Sequence, residues 1–203
     1  MNKVAVLAGG SGSRLGRIDK GMIKIDGVTL IERLMKTLKG LDTVIVCRSE
    51  QIQDYSSYSQ VIEDEFTEMG PLAGIHASLK FFKEPILVVG VDMPFVKREV
   101  IDFLLGEFSN EEALIPSWKD GRTEPLLACY NYNVVDRIER CLERGEKKII
   151  NVLDMDRVKL YPVERLRHYD EGLISFLNIN TPEDLNKVEG LCSKIDLGGE
   201  LVT

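Results

Sequence analysis

The sequence predicts an α/β fold of three layers, a mostly parallel sheet carrying helices on both faces. Three observations predict it. Short apolar runs alternate along the chain with stretches whose apolar residues recur at helical spacing. The first apolar run leads directly into a glycine-rich turn, Gly9-Gly10-Ser11-Gly12. The most apolar run ends at Asp92-Met93-Pro94, which puts a carboxylate at the exit of a buried strand.

Residues 3–7 read as a short buried strand. In 30–38, Leu30, Ile31, Leu34, Met35 and Leu38 form one helical stripe, and Gly40 stops it. Strands are expected at 43–47 and 60–62. Pro71 suits the first turn of a helix that runs to about residue 82. A strand at 86–91, a helix at 98–108 and a strand at 113–116 continue the alternation. Beyond that the pattern loosens. Residues 126–130 read as a further strand, antiparallel in one reading, and 134–144 as an amphipathic helix. A short helix near 149–153, a strand at 158–161 and a last short strand at 177–179 follow. Asn178 and Asn180 would then face one side. Thr181 as N-cap, Pro182 and the acids Glu183 and Asp184 open a final helix that Gly190 ends.

The chain has 203 residues, which suits one domain over about 1–190 with a loose tail at 191–203. No apolar run is long enough to cross a bilayer, and the N-terminus shows no cleavage-site pattern, so neither membrane nor signal peptide is expected. Cys47, Cys129, Cys141 and Cys192 are scattered and the only histidines are His76 and His168, so no zinc cluster is expected. Unpaired cysteines of this kind fit a reducing, cytoplasmic setting.

A net charge of −7 argues against nucleic acid as a partner. Yet residues 14–24 gather Arg14, Arg17, Lys20 and Lys24 against Asp19 alone. A short basic stretch on an acidic protein suits a small anionic ligand, although a solvated loop would look the same on charge alone.

That stretch overlaps the glycine turn, where exposed backbone N–H groups can meet an anion. Two familiar phosphate loops fail on spacing. Gly16 is followed by Arg17 and Ile18, not by Lys and Ser/Thr, and the third glycine of a dinucleotide fingerprint is replaced by Leu15. It is a glycine-rich anion loop of another kind, with Arg14 and Lys20 as its charged partners. Asp92, at the carboxyl end of its strand, lies where open α/β sheets bind ligands, and a lone carboxylate there suits Mg²⁺. A helix cap is the alternative reading of Asp92.

The run Leu7-Ala8-Gly9-Gly10-Ser11-Gly12-Ser13-Arg14-Leu15-Gly16-Arg17-Ile18-Asp19-Lys20-Gly21 resembles the signature of the molybdenum cofactor guanylyltransferases, members of the nucleotide-sugar pyrophosphorylase-like superfamily. The likeness continues through Glu63-Asp64, Gly70-Pro71-Leu72-Ala73-Gly74, Val91-Asp92-Met93-Pro94, Arg122-Thr123-Glu124-Pro125-Leu126 and Asn178-Ile179-Asn180-Thr181-Pro182.

The resemblance implies the nucleotide-diphospho-sugar transferase type of fold. It implies transfer of GMP from GTP to the phosphate of molybdopterin, giving molybdopterin guanine dinucleotide and pyrophosphate with Mg²⁺ on Asp92. Arg14, Lys20 and Asp92 would do the chemistry. Leu7, Ala8, Gly9, Gly10, Lys20, Asp64, Gly74 and Asp92 would bind GTP, in a nucleotide half of about 1–115. Arg122, Asn178 and Asn180 would bind the acceptor, in a half of about 116–190. Transient contact with other cofactor-biosynthesis proteins, or with the enzymes that receive the cofactor, is implied as well. One departure stands out: the family's asparagines after the second strand are replaced by Val46-Cys47-Arg48-Ser49. Two alternatives stay open, a cytidylyl- or sugar-phosphate nucleotidyltransferase of the same superfamily and a nucleotide-binding accessory subunit without turnover.

Overall fold

A computed structural model describes residues 1–9, 19–66, 69–181 and 184–185. In chain order its elements are β1 (Lys3–Leu7), β2 (Lys24–Ile25), β3 (Val28–Thr29), α1 (Leu30–Thr37), β4 (Asp42–Cys47), α2 (Ile52–Tyr55), β5 (Gln60–Glu63), α3 (Pro71–Phe82), β6 (Ile86–Gly90), α4 (Arg98–Glu107), β7 (Ala113–Ser117), β8 (Leu127–Tyr130), α5 (Val135–Glu143) and β9 (Val158–Pro162).

Seven strands form one sheet in the order β5-β4-β1-β6-β8-β7-β9. β8 runs antiparallel to both neighbours, and every other pair is parallel. From β1 the chain first moves outward through β4 and β5, then returns to place β6 on the other side of β1. The strand order therefore reverses between β1 and β6. In open sheets that reversal leaves a crevice at the carboxyl ends of the strands.

Side-chain alternation explains the layers. Val4 and Val6 of β1, with Ile45, Leu87 and Val89, point to a cluster filled by Ile31 and Leu34 of α1 and Ile101 and Leu104 of α4. Ala5, Val44, Ile86 and Val88 point the other way, onto Leu72, Ile75 and Leu79 of α3 and Ile138 and Leu142 of α5. All five residues of β6 are buried, as expected for a central strand covered on both faces. Each such Leu, Ile or Val contributes roughly 1.5–3 kcal/mol by leaving water.

The structure departs from the sequence expectation in a few places. β2 and β3 make a hairpin that the periodicity did not suggest. Its signal is Asp26-Gly27, both at positive φ (51° and 79°), the turn dipeptide that suits a two-residue hairpin. Residues 149–153 tighten into a single 3₁₀ turn, Ile149–Asn151. The expected strand at 177–179 is absent. Leu177 to Asn180 have no strand pairing, and Ile179 instead donates its N–H to the Asp92 carbonyl at 2.9 Å. That carbonyl belongs to the loop after β6, so there is no strand edge for a ladder to form on. The capping expected at Thr181 is present, with Asp184 N–H donating to the Thr181 hydroxyl and the Asp184 carboxylate accepting from Thr181 N–H. The helix after it and the tail 191–203 lie outside the described residues, save Asp184 and Leu185.

His76, inside α3, has no solvent exposure and packs edge-on against Phe66. Burial lowers its pKa, and the nearby Glu139, which would raise it, does not offset this. A depressed folded pKa means that stability is fully present above the unfolded value of about 6.5 and is lost as pH falls from there through the folded pKa. We expect lower thermal stability at pH 5 than at pH 8. His76→Gln should flatten that difference in unfolding scans, and an unchanged slope would assign it to other groups.

Candidate active site

The crevice at the β1/β6 reversal is a cleft of about 290 Å³ lined by Leu7, Ala8 and Gly9 from β1 and its exit, Val46 from β4, Asp64 after β5, Gly70, Pro71 and Gly74 at the start of α3, Val91 and Asp92 after β6, Leu126 before β8, and Lys20. Residues spread from 7 to 126 therefore meet in one place.

Lys20 is its centre. Its ammonium donates to Asp92 Oδ2 at 3.1 Å and to Asn180 Oδ1 at 2.6 Å. The side chains of Lys20 and Asp92 are only 20% and 15% exposed, so this pair is more than a surface ion pair. Two of the residues expected to do the chemistry, Lys20 and Asp92, thus touch each other, and Asn180 joins them from 160 residues along the chain.

Asp92 stands in its place for a local reason. A Cβ on Gly90 would lie 2.5 Å from Asp92 Oδ1 and 3.5 Å from Leu126 Cβ, so only glycine leaves the carboxylate its position. Gly90 was not singled out by its sequence; its signal is a glycine two residues before the carboxylate in an otherwise fully apolar strand.

Asn180 is held by a latch. The fully buried Asp170 accepts from Ser175 N–H at 2.7 Å and pairs with the Lys97 ammonium at 3.2 Å, while Ser175 Oγ accepts from Lys97 N–H at 3.0 Å. Burial alone would raise the Asp170 carboxyl, but the Ser175 and Lys97 contacts outweigh it and hold it below the usual carboxylate range. Together with the Ile179–Asp92 bond, this fastens 170–180 onto the loop after β6.

At the β1 exit the N–H groups of Ala8 and Gly9 both donate to the Val46 carbonyl, at 2.8 and 3.2 Å. In this structure both amides are engaged by the fold and tie the β1 exit to β4. A Cβ on Gly9 would meet protein only at ordinary distances, 3.5 Å or more. Its small size is not demanded by packing. Gly74 is the reverse case. A Cβ on it would come within 2.9 Å of Leu7 Cδ2, so its glycine serves the close packing of α3 on β1.

Asp64 lines the cleft, its pKa raised by burial and by Glu63, with Arg48 opposing. Cys47 is beside it, but burial, then Asp19 and other carboxylates, push its thiol up to about 12, which removes it as a nucleophile. Arg122 does not line the cleft. It is two-thirds exposed, pairs with Asp120 at 2.8 Å and lies over the Trp118 ring. Asn178 is half-buried on the segment that carries Asn180. Arg14 and Gly10 lie outside the described residues.

This arrangement has relatives. The family model described as the MobA-like NTP transferase domain matches residues 4–158. The chain belongs to the MobA-like NTP transferase family. A probable molybdenum cofactor guanylyltransferase of Methanosarcina mazei is 34% identical over 91% of this chain and 88% of its own length. A molybdenum cofactor guanylyltransferase of Desulfosudis oleivorans is 37% identical over 91% and 92%. Among solved structures, molybdopterin-guanine dinucleotide biosynthesis protein A from Archaeoglobus fulgidus superposes with a TM-score of 0.85 at 43% identity, covering 95% of this chain and 99% of that one. The protein is thus a nucleotidyltransferase of the MobA-like family, and the expected single-domain, mostly parallel α/β architecture is the one it has.

For such an enzyme the Gly90 contact makes a direct prediction. Gly90→Ala should displace the Asp92 carboxylate and lower kcat about tenfold, near 1.4 kcal/mol of barrier. Steady-state rates measured beside thermal unfolding check it. Wild-type kcat would show that Asp92 can shift without consequence.

Proposed function

We propose that this protein transfers GMP from GTP to the phosphate of molybdopterin in the cytoplasm. An oxygen of the acceptor phosphate forms a bond to the α-phosphorus in line, the bond from that phosphorus to the bridging oxygen breaks, and pyrophosphate leaves with the electron pair. The observation that carries this reading is the Lys20 ammonium fixed between Asp92 and Asn180 at the strand-order reversal. The names of the relatives, guanylyltransferases of the molybdenum cofactor, support the choice of substrates.

Phosphoryl chemistry of this kind needs positioning and charge neutralisation more than a covalent nucleophile. Lys20 would balance charge that develops on the phosphates, and Arg14 would join it from the signature loop. Asp64, on the far wall, would accept hydrogen bonds from the base. Asn180, with Asn178 on the same segment, would face the acceptor, and Arg122 would reach it only by leaving Asp120.

Asp92 would hold Mg²⁺. Among the described residues no three His, Cys, Asp or Glu side chains gather as a metal cage. A single partly buried carboxylate fits Mg²⁺, which takes one or two carboxylates and completes its shell from phosphates and water. Bound there, the ion would neutralise phosphate charge as a Lewis acid.

The experiment is pyrophosphate release with molybdopterin as acceptor and GTP or CTP as donor. GTP-dependent release with the dinucleotide as product is expected. Preference for CTP would move the protein to a cytidylyltransferase, and tight GTP binding without release would make it a carrier.

A further inference from the structure

One buried polar cluster next to the cleft is not used by this mechanism. Asp19, the residue before Lys20, turns its carboxylate away from the cleft and toward the α2 turn. Asp19 Oδ1 accepts from the Tyr55 hydroxyl and from Gly21 N–H at 3.0 Å; Oδ2 accepts from Gln51 Nε2 at 2.6 Å. Tyr55 is fully buried and Gln51 is 5% exposed. Gln51 is fixed in turn, because its Oε1 accepts from Arg48 N–H at 3.2 Å and from Arg48 Nε at 3.4 Å.

The backbone beyond Asp19 is pressed onto the same tyrosine. A Cβ on Gly21 would fall far inside contact distance of the Tyr55 hydroxyl and 2.9 Å from its ring carbons. Lys20 is thus bracketed. The residue before it is tied by three hydrogen bonds, the residue after it packs against the hydroxyl end of the Tyr55 ring, and its own ammonium reaches Asp92 and Asn180.

A long lysine side chain carries about 2 kcal/mol of rotamer entropy, so fixing the backbone on both sides is an efficient way to aim its ammonium. Both carboxylate oxygens of Asp19 are engaged by protein donors. We propose that Asp19, Gln51 and Tyr55 are positioning residues that aim the Lys20 ammonium at the transferring phosphates. This rests on the reading of Lys20 as a phosphate-binding group. It also gives the segment that lacks the family's asparagines, Val46-Cys47-Arg48-Ser49 and the turn after it, a role in catalysis through Lys20.

The test is a double-mutant cycle between Tyr55→Phe and Lys20→Ala, read as kcat for GTP-dependent pyrophosphate release, with GMP binding and thermal unfolding alongside. Tyr55→Phe keeps the ring and removes one hydrogen bond. It should lower kcat about tenfold with GMP affinity and the acceptor KM unchanged. In the Lys20→Ala background the same substitution should have almost no further effect, because the group it aims is gone. Gln51→Leu should behave alike and serves as the second variant if Tyr55→Phe folds poorly. A full tenfold loss on top of Lys20→Ala, or a wild-type kcat in both single variants of the cluster, overturns the positioning role. Wild-type activity of Lys20→Ala would instead overturn the phosphate-binding reading itself, and the positioning role with it.

Discussion

Asp92→Ala is expected to fold normally and to lose Mg²⁺-dependent turnover. The carboxylate sits at the end of a fully buried strand, in a space that Gly90 leaves for it, and faces the cleft. Its only described polar side-chain partner is Lys20, whose own side chain is one-fifth exposed, so removing Asp92 strands no charge deep in the core. Stability should therefore change by about 1 kcal/mol or less. The rate should change far more. If Asp92 holds the ion as proposed, its loss should cost several kcal/mol of transition-state stabilisation, or about 10³-fold in kcat. Initial rates across a Mg²⁺ titration, with circular dichroism as the control for folding, decide the matter. If Asp92→Ala saturates with Mg²⁺ at the wild-type concentration and turns over at the wild-type rate, Asp92 is not the metal ligand.

Much of this geometry was legible in the sequence because strand ends are. An apolar run that stops at Asp92-Met93-Pro94 must end a buried strand, and the glycine turn after Leu7 must start at the carboxyl end of another. Parallel strands then bring the two ends side by side. What could not be read is which long-range partners close the site. Asn180 meets Lys20 because a short irregular segment docks on the Asp92 carbonyl and is latched by the buried Asp170, and no periodicity encodes such docking.

The amides of Ala8 and Gly9 show a second long-range pairing of this kind. Both donate to the Val46 carbonyl, a partner set by strand order that no local pattern encodes. The local setting of Arg122 was not legible either: the resemblance implies an acceptor role, and the structure adds that its guanidinium pairs with the adjacent Asp120 and lies over the Trp118 ring. The Asp26-Gly27 hairpin, by contrast, is encoded locally by its turn dipeptide, and its two-residue strands are too short to show a helical stripe or a buried run.

The second large effect concerns Lys20. Lys20→Ala removes the ammonium between Asp92 and Asn180, and with it the one cation that the described residues place inside the cleft. If the outer phosphates of GTP are what it meets, the loss grows with the number of phosphates present. A charge-assisted hydrogen bond is worth about 1.5–3 kcal/mol, so transfer should slow roughly 10- to 150-fold. The GTP dissociation constant should rise by part of that factor, while GMP, which lacks the outer phosphates, should bind almost as before. Lys20→Arg should recover little. A planar guanidinium is bulkier than the ammonium it replaces, and the pocket between Asp92 and Asn180 is fitted to a point charge. Calorimetric titration of GTP and GMP into both variants separates the outcomes. Equal weakening of the two nucleotides would move Lys20 to the ribose or base, and weakening of neither would leave it a structural tie between Asp92 and Asn180.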